Sequence, residues 1–502
     1  KISGKYMEAG SKYIDANWKG ARQFKIEIEQ MTGKGRTIIP CKNACPAGVN
    51  VPGYIALIKA GREKDAYNLI RKENPFPAVC GRVCVHLCES KCVRGEVDQA
   101  IAIRHLKRYA ADRSLAEAAY DDASVRSNGK TVGIIGAGPS GLTCGYYLAR
   151  LGYGVDIYEA QSVAGGILAY GIPDFRLPKE VLKREIRLIE RAGVKIHLNA
   201  KIGKDITLNN LKQKHDAVYV AVGSQFSKRL GIPGEELAGV YNGLDFLRDV
   251  NLKKNTVIGK DVVVIGGGNV AFDVARVALR LGAGKVHLAC LESREAMLAN
   301  PEEIKEAEEE GIVIHPSQTF KRIIGKNGKV TGIECLDVES CHFDEEKRPH
   351  IKVCEGSEHL LPADTVFFAI GQRPESIDAF ELTAGRDNTI QIDRENCLTN
   401  QECVFAGGDV ARGSDSAIAA IADGKTAAAA IDKYLGGSGV LNKGADIPIP
   451  EPEKIDQIVL QSRFPMGCLE PEARKDVFDE IHMGFDEANA MSESKRCLEC
   501  DR

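Results

Sequence analysis

Eight cysteines stand at spacings that could hold metal. Cys41-Lys-Asn-Ala-Cys45-Pro46 is followed by Cys80-Gly-Arg-Val-Cys84-Val-His-Leu-Cys88-Glu-Ser-Lys-Cys92, and Arg496-Cys497-Leu-Glu-Cys500 comes near the far end. Thiolates in such runs, often with a proline close behind, are ligands of iron–sulfur clusters. Zinc is the alternative, and two Cys-x3-Cys steps beside a Cys-Pro favour iron–sulfur over it. Clustering at short spacing, without a signal-peptide pattern, speaks for metal ligands rather than a disulfide framework. Two cubane clusters need eight thiolates, and only six lie before residue 130. The expectation is that Cys497 and Cys500 fold back to join Cys41 and Cys92, while Cys45, Cys80, Cys84 and Cys88 hold the second cluster. A tail whose CxxC binds nothing is the bland reading. His86 lies between ligands and is expected to pack or to support them rather than ligate. The scattered Cys144, Cys290, Cys335, Cys341, Cys354, Cys397, Cys403 and Cys468 read as small apolar residues.

Two glycine turns supply the other chemistry. Thr131–Glu159 runs strand, Gly136-Ala-Gly138-Pro139-Ser140-Gly141, helix, strand, acid. The first two glycines allow a tight turn that brings backbone N–H groups to a pyrophosphate. The third lets the helix pack on the strand, and the helix N-terminus faces the anion. Glu159 stands where a carboxylate holds a ribose hydroxyl. Paired Gly165-Gly166, ahead of Ile-Leu-Ala-Tyr170, permits close approach to a flat ligand. The pattern recurs at Asp261–Asp273, with Gly266-Gly-Gly268-Asn269-Val270 and Ala271 at the third glycine position. Glu292, after the Lys285–Cys290 strand, is read as the second ribose acid. A carboxylate there accepts from a free 2′-hydroxyl and repels a 2′-phosphate, which favours NAD over NADP. A solvated surface glutamate is the alternative. Gly407-Gly408-Asp409, before the helical Asp415–Leu435, can hand a carboxylate to a ribityl chain or aim a helix N-terminus at a flavin carbonyl.

The elements that must position these groups follow from length and pattern. A chain of 502 residues calls for several domains. Net charge of −3 gives no argument for nucleic acid or an anionic membrane. No apolar run reaches a membrane span, and a cytoplasmic location is expected. The first residue is Lys, which suggests that the native N-terminus is missing. Residues 1–40 form an extension with helical stretches around Ala16–Met31. A helical iron–sulfur domain covers 41–128, with helices in Val51–Leu69 and Gln99–Ala118. Pro77, Gly81 and Gly95 are expected to put its cysteines on turns. A dinucleotide-binding domain covers 129–240 and resumes at 362–436, including a strand at Val366–Ile370. A second is inserted at 241–361. Residues 437–502 are a Gly/Pro-rich linker and a tail, helical over Pro471–Asn489, that returns to the iron–sulfur domain. The fold class is α/β, with two three-layer Rossmann-like domains and an N-terminal α-helical domain.

These motifs together resemble a known family: the small subunit of bacterial glutamate synthase, the N-terminal half of dihydropyrimidine dehydrogenase, and flavoprotein subunits of ferredoxin-linked NAD(P)H oxidoreductases. CxxxCP at Cys41–Pro46, CGRVC…CxxxC at Cys80–Cys92, GAGPSGL at Gly136–Leu142, GGILAYGIPDFRLPK at Gly165–Lys179, GGGNVAFD at Gly266–Asp273 and FAGGD at Phe405–Asp409 carry the resemblance. It implies two [4Fe-4S] clusters, FAD and a nicotinamide nucleotide. The FAD positions would be Gly136, Gly138, Pro139, Ser140, Gly141, Glu159, Ala160, Gly166, Ile167, Gly223, Gly408, Asp409, Ala417 and Ile418. The nicotinamide positions would be Gly266, Gly268, Asn269, Val270, Ala271 and Glu292. Three departures stand out. The CxxC that usually precedes CxxxCP is absent there, and a similar piece stands at Cys497–Cys500. Lys107 occupies the place of a Gln or Glu cluster ligand, which leaves Cys80 as the replacement. Leu291-Glu292 replaces the paired arginines of NADP-using members.

The expected function is an electron-transfer subunit that exchanges hydride with NAD(P)H, NADH favoured, at FAD. It would relay electrons through the clusters to a partner subunit, with ferredoxin linkage or electron bifurcation as variants. No catalytic acid or base is needed. The rivals are the glutamate synthase small subunit itself and, from another class, a silent scaffold.

Overall fold

A computed structural model of the chain describes residues 39–114, 126–204, 206–344, 349–442, 446–452 and 458–500. The helical expectation for Ala16–Met31 and most of the polar segment around Asp121 lie outside these residues.

Two parallel sheets carry the glycine turns. In the first, Val404–Ala406, Ala217–Val220, Thr131–Ile135, Gly154–Tyr158 and Val194–His197 lie side by side in that order. In the second the order is Val240–Asn242, Thr365–Phe368, Asp261–Ile265, Lys285–Ala289 and Val313–His315. The central strands are unbroken β-branched and apolar runs because both faces are covered: in Val262–Ile265, Val262 and Val264 pack against the Asn269–Arg280 helix, and Val263 and Ile265 against the antiparallel strands that carry Ile323 and Ile333. The second sheet is made of chain that leaves the first after Ala217–Val220 and returns at Val404–Ala406, so one α/β unit is inserted in the other. The expected return at 362 is corrected by strand pairing. Thr365–Phe368 hydrogen-bonds to Val240–Asn242 and Asp261–Ile265, inside the second sheet. Its buried apolar character suits either core, and only the pairing register assigns it. On one face of the second sheet packs an antiparallel sheet of Gln318–Lys326, Lys329–Phe343, Pro349–Val353 and His359–Pro362.

The cysteine-rich part is helical. Val51–Lys59, Glu63–Glu73, Pro77–Val83 and Ile103–Ser114 pack together, with Gly61 in the left-handed region between the first two. Gly81 does not break its helix, contrary to expectation. It lies within Pro77–Val83, where a Cβ would meet Arg108 Cα at 2.7 Å, so it lets two helices cross closely. The break comes at His86, held at φ +40°, before the short Leu87–Ser90 helix. Cys84 and Cys92 are extended, so the run is not one continuous helix.

The C-terminal segment is a strap rather than the helix expected over Pro471–Asn489. It forms Pro471–Arg474, a strand at His482–Gly484 and a helix at Glu487–Lys495. Gly484 takes φ +79°, and Asp486 restarts the helix by accepting from the Asn489 N–H. Its apolar residues divide between two cores: Ile481 enters that of the second α/β unit, and Phe485 that of the first unit and the cysteine helices. That division leaves no single apolar face for a helix to present. The Glu487–Lys495 helix docks on the cysteine region through Glu493, which is fully buried. Its carboxylate accepts from Ala102 N–H (2.7 Å), Phe464 N–H (3.0 Å) and Arg496 Nη1 (2.8 Å). Arg496 also donates to Gln99 O at 2.6 Å. Among the described residues no helix is long and apolar enough to cross a membrane.

Glu493→Ala should leave the buried Ala102 N–H without an acceptor, at about 1–3 kcal/mol, and the partly buried Phe464 N–H at less. The expected readout is faster proteolytic cleavage within residues 487–500. Cleavage at the wild-type rate would show that the carboxylate does not hold the strap.

Candidate functional site

Both glycine turns open into one cleft of about 1460 Å³. At the first, Gly136 takes φ +104°, and a Cβ there would meet Ala221 O at 2.4 Å. Gly141 lies against the Gly136 carbonyl, where a Cβ would stand at 2.0 Å, so helix and strand can approach only with glycine at this place. Gly138 has nothing within 4 Å of a Cβ and faces the cleft. It caps the Pro139–Arg150 helix without a side-chain bond, so the first-turn N–H groups are free for an anion. The second turn repeats this. Gly266 takes φ +136° and abuts Ala369 O, while Gly268 is open and precedes the Asn269–Arg280 helix. Asn269 accepts from the Asn300 N–H at 2.9 Å and ties that turn to the next loop.

The acids stand at the rims. Glu159 is buried, lines the cleft, and accepts from the Ala137 and Gln161 N–H groups at 2.8 Å each. Burial pushes its carboxyl up, and those N–H groups pull against it. Asp409 is pushed up to about 7 by burial and by the Asp415 charge beside it. Glu292 overhangs the second turn, where a Cβ on Gly267 would meet its Oε2 at 2.9 Å. Arg294 does not compete there, being paired with Glu308 at 2.6 Å.

Most expected nucleotide positions reach this cleft: Gly136, Gly138, Pro139, Ser140, Glu159, Ala160, Gly166, Ile167, Gly223, Gly408, Asp409 and Ala417 on one side, with Gly266, Gly268, Asn269, Val270 and Glu292 on the other. Three do not line it. Gly141 and Ala271 lie beneath the turns, where packing rather than ligand contact demands them. Ile418, in the first turn of the Ala417–Tyr434 helix, buries its side chain in the core. That helix crosses Pro139–Arg150 so closely that a Cβ on Gly424 would meet Ser140 O at 2.2 Å.

Sequence reasoning missed a bridge across the cleft. Arg176 lies in the quoted GIPDFRLPK stretch and Asp273 closes GGGNVAFD, yet neither receives a role from its motif. Arg176 Nη1 contacts Asp273 at 2.7 Å and its Nη2 contacts Glu303 at 2.8 Å, all buried. Burial pushes the Asp273 carboxyl up against the pull of Arg176. Complementary charges in two motifs were the available signal, but nothing in sequence says that they meet.

The cysteines gather in two sets. Cys41, Cys92, Cys497 and Cys500 line one small cavity, across 459 positions of chain from Cys41 to Cys500. Burial, then the neighbouring thiols, push Cys41 and Cys497 up to about 12. Cys45, Cys80, Cys84 and Cys88 surround Lys107, which is 3% exposed. Burial pulls its ammonium down, and the negative charge of these four sulfurs as thiolates outweighs burial and pushes it above the ordinary lysine range. Val83, Val85 and Leu87, interleaved with this second set, line the large cleft. His86 faces Glu89, with Nδ1 3.8 Å from Oε2. Among the described residues no three of the eight sulfurs come within 4.8 Å of one another. Thiolates on a single zinc would stand roughly 3.8 Å apart, from a bond of about 2.3 Å. Cysteines grouped at wider separation, three of them buried and five partly so, suit a multinuclear cluster better than one ion.

A family profile described as pyridine nucleotide-disulphide oxidoreductase matches residues 130–424. The chain belongs to that family. A second profile, dihydropyrimidine dehydrogenase domain II with a 4Fe-4S cluster, matches 37–119. The chain is 37% identical to the NADP(+)-dependent formate dehydrogenase subunit beta of Moorella thermoacetica, over 94% of its own length and 72% of that protein. It is 36% identical to the NADPH-Fe(3+) oxidoreductase subunit beta of Geobacter sulfurreducens, over 92% and 75%. With the glutamate synthase [NADPH] small chain of Escherichia coli it shares 35% identity over 79% and 88%. The fold is similar to that of Mycobacterium tuberculosis FprA in complex with NADPH, at a TM-score of 0.53 and 21% identity, over 61% and 85%. The protein is therefore an oxidoreductase of the flavoprotein, 4Fe-4S type, as the motifs implied.

Gly141→Ala should force the helix off the Gly136 carbonyl and lower FAD content at least tenfold. Fluorescence of flavin released on denaturation measures it. Wild-type FAD content would show that the turn tolerates a Cβ.

Proposed function

We propose that this chain takes electrons between NAD(P)H and FAD in the shared cleft and relays them through two [4Fe-4S] clusters to a partner subunit. The observation that carries the reading is that both glycine turns, each ending in an uncapped helix N-terminus, open into the same cleft. When bound there, the flavin would exchange hydride with the nicotinamide and electrons singly with iron–sulfur clusters. The protein's own part is placement. The two helix N-termini hold pyrophosphates, Glu159 holds a ribose, and Gly166, packed against Gly138, keeps the flavin side open. The set Cys45, Cys80, Cys84 and Cys88 would hold the cluster beside the cleft. The set Cys41, Cys92, Cys497 and Cys500 would hold the distal one.

Glu292 is our reason for preferring NADH. Its carboxylate over the Gly267 turn would accept from a 2′-hydroxyl and repel a 2′-phosphate. The relatives named above are NADP-linked, so the choice rests on this position alone. A partner subunit is inferred because those relatives are named as subunits, and ferredoxin is one class of acceptor that would fit. The two beta subunits match over 92–94% of the chain and the glutamate synthase small chain over 79%, which favours the first reading over the second.

Glu292→Arg should shift the NADH-to-NADPH ratio of kcat/KM toward NADPH by at least tenfold; an unchanged ratio would remove Glu292 from the ribose site. Cys497→Ser with Cys500→Ser should halve iron and sulfide per chain, from about eight to about four of each. Retention of all eight would take the tail out of the distal cluster.

A further inference from the structure

The wide spacing of the eight cysteines contrasts with one tight group elsewhere. Cys468 and His482 face each other on the two strands Gly467–Cys468 and His482–Gly484 of the strap. Glu306, on the Pro301–Glu309 helix of the second α/β unit, reaches between them. One donor atom from each lies within 4.8 Å of the others, and no other trio among the described residues does so. His482 Nε2 stands 2.7 Å from Glu306 Oε1. Glu306 is 8% exposed, and its Oε2 has no hydrogen bond, only an ion contact with Arg276 at 3.0 Å.

We propose that Glu306, Cys468 and His482 form a mononuclear zinc site that clamps the strap to the second α/β unit. The donor set decides the metal. A thiolate, an imidazole and a carboxylate suit a borderline-soft ion of tetrahedral habit, whereas magnesium and calcium take oxygen alone. Cys468 and His482 are partly exposed, so an ion has a path in and water has the fourth position.

Nearby arginines do not forbid the cation, because carboxylates already engage them. Arg276 is paired with Glu303 and Glu310, and Arg474 with Glu309 and Glu310. Arg474 Nη1 also donates to Cys468 Sγ at 3.5 Å, the kind of outer contact that steadies a metal-bound thiolate. On binding, the Cys468 thiol and the His482 imidazolium each give up a proton to solvent, His482 ligates as the neutral ring, and zinc exchanges waters for the three donors without redox change. The strap also meets the cysteine region, where Arg108 donates to His482 O at 2.9 Å and Arg82 to Glu480 at 2.8 Å. The ion would thus fix the second α/β unit to the cysteine region. It would lie apart from the ligands proposed for iron.

The test uses the full chain, loaded with iron and FAD under anaerobic conditions. It is incubated with one equivalent of zinc chloride, desalted and assayed for zinc, iron and flavin. Wild type should keep about one zinc per chain, and a Cys468→Ala, His482→Ala variant at least tenfold less, with iron and FAD unchanged. Zinc K-edge absorption of the wild type should show one sulfur, the rest nitrogen and oxygen. That spectrum decides alone if the variant fails to fold. Wild type that keeps less than a tenth of an equivalent, equal retention by a folded variant, or a shell of several sulfurs would overturn the proposal. The first outcome would leave a hydrogen-bonded trio, and the last would place zinc on cysteines meant for iron. None of these outcomes bears on the cleft, so the electron-transfer reading stands or falls separately.

Discussion

The Arg176 guanidinium, held between Asp273 and Glu303, is the contact on which the working arrangement depends. Two glycine turns on separate sheets are of no use to each other unless they face one cavity. Arg176 belongs to the loop after the first turn, and its partners belong to the helices after the second. A buried guanidinium left without those carboxylates would cost about 3–5 kcal/mol, so the two units are tied to the orientation that satisfies it. The same pair lines the cleft.

A second dependence runs through the strap. The cysteine helices alone supply six thiols, and the last two arrive from the far end of the chain on a helix anchored by Glu493 and Arg496. On its way the strap passes the second α/β unit, into whose core it puts Ile481. Three regions distant in sequence are thereby held by one segment with little regular structure of its own. This is why its hydrogen bonds go to side chains and loop backbone rather than along a helix.

Lys107 shows how a site can alter its chemistry without altering its fold. The family resemblance puts a neutral or acidic ligand there. A buried ammonium among four cysteines instead adds a positive charge where thiolate charge would collect. As thiolates the same four cysteines would offset the cost of burying that ammonium, and the ammonium would offset their mutual repulsion.

The nucleotide turns were legible from sequence because their requirements are local. A positive φ, a missing Cβ and an uncapped helix start concern a few consecutive residues, and glycine spacing states all three. The cysteine spacings announced metal for the same reason. Assignment of Thr365–Phe368 to the second sheet, of Gly81 to a helix crossing and of Ile418 to the core needed the tertiary structure. In each case the residue type suits more than one neighbour, and only the pairing or packing partner decides. The strap was misread as a helix over Pro471–Asn489 because its apolar residues serve two cores rather than one face. Arg176 and Asp273 stood in plain view within quoted motifs. That they meet is a fact of chain folding, since charge complementarity has no reach along a sequence and becomes specific only where burial removes water from between the partners.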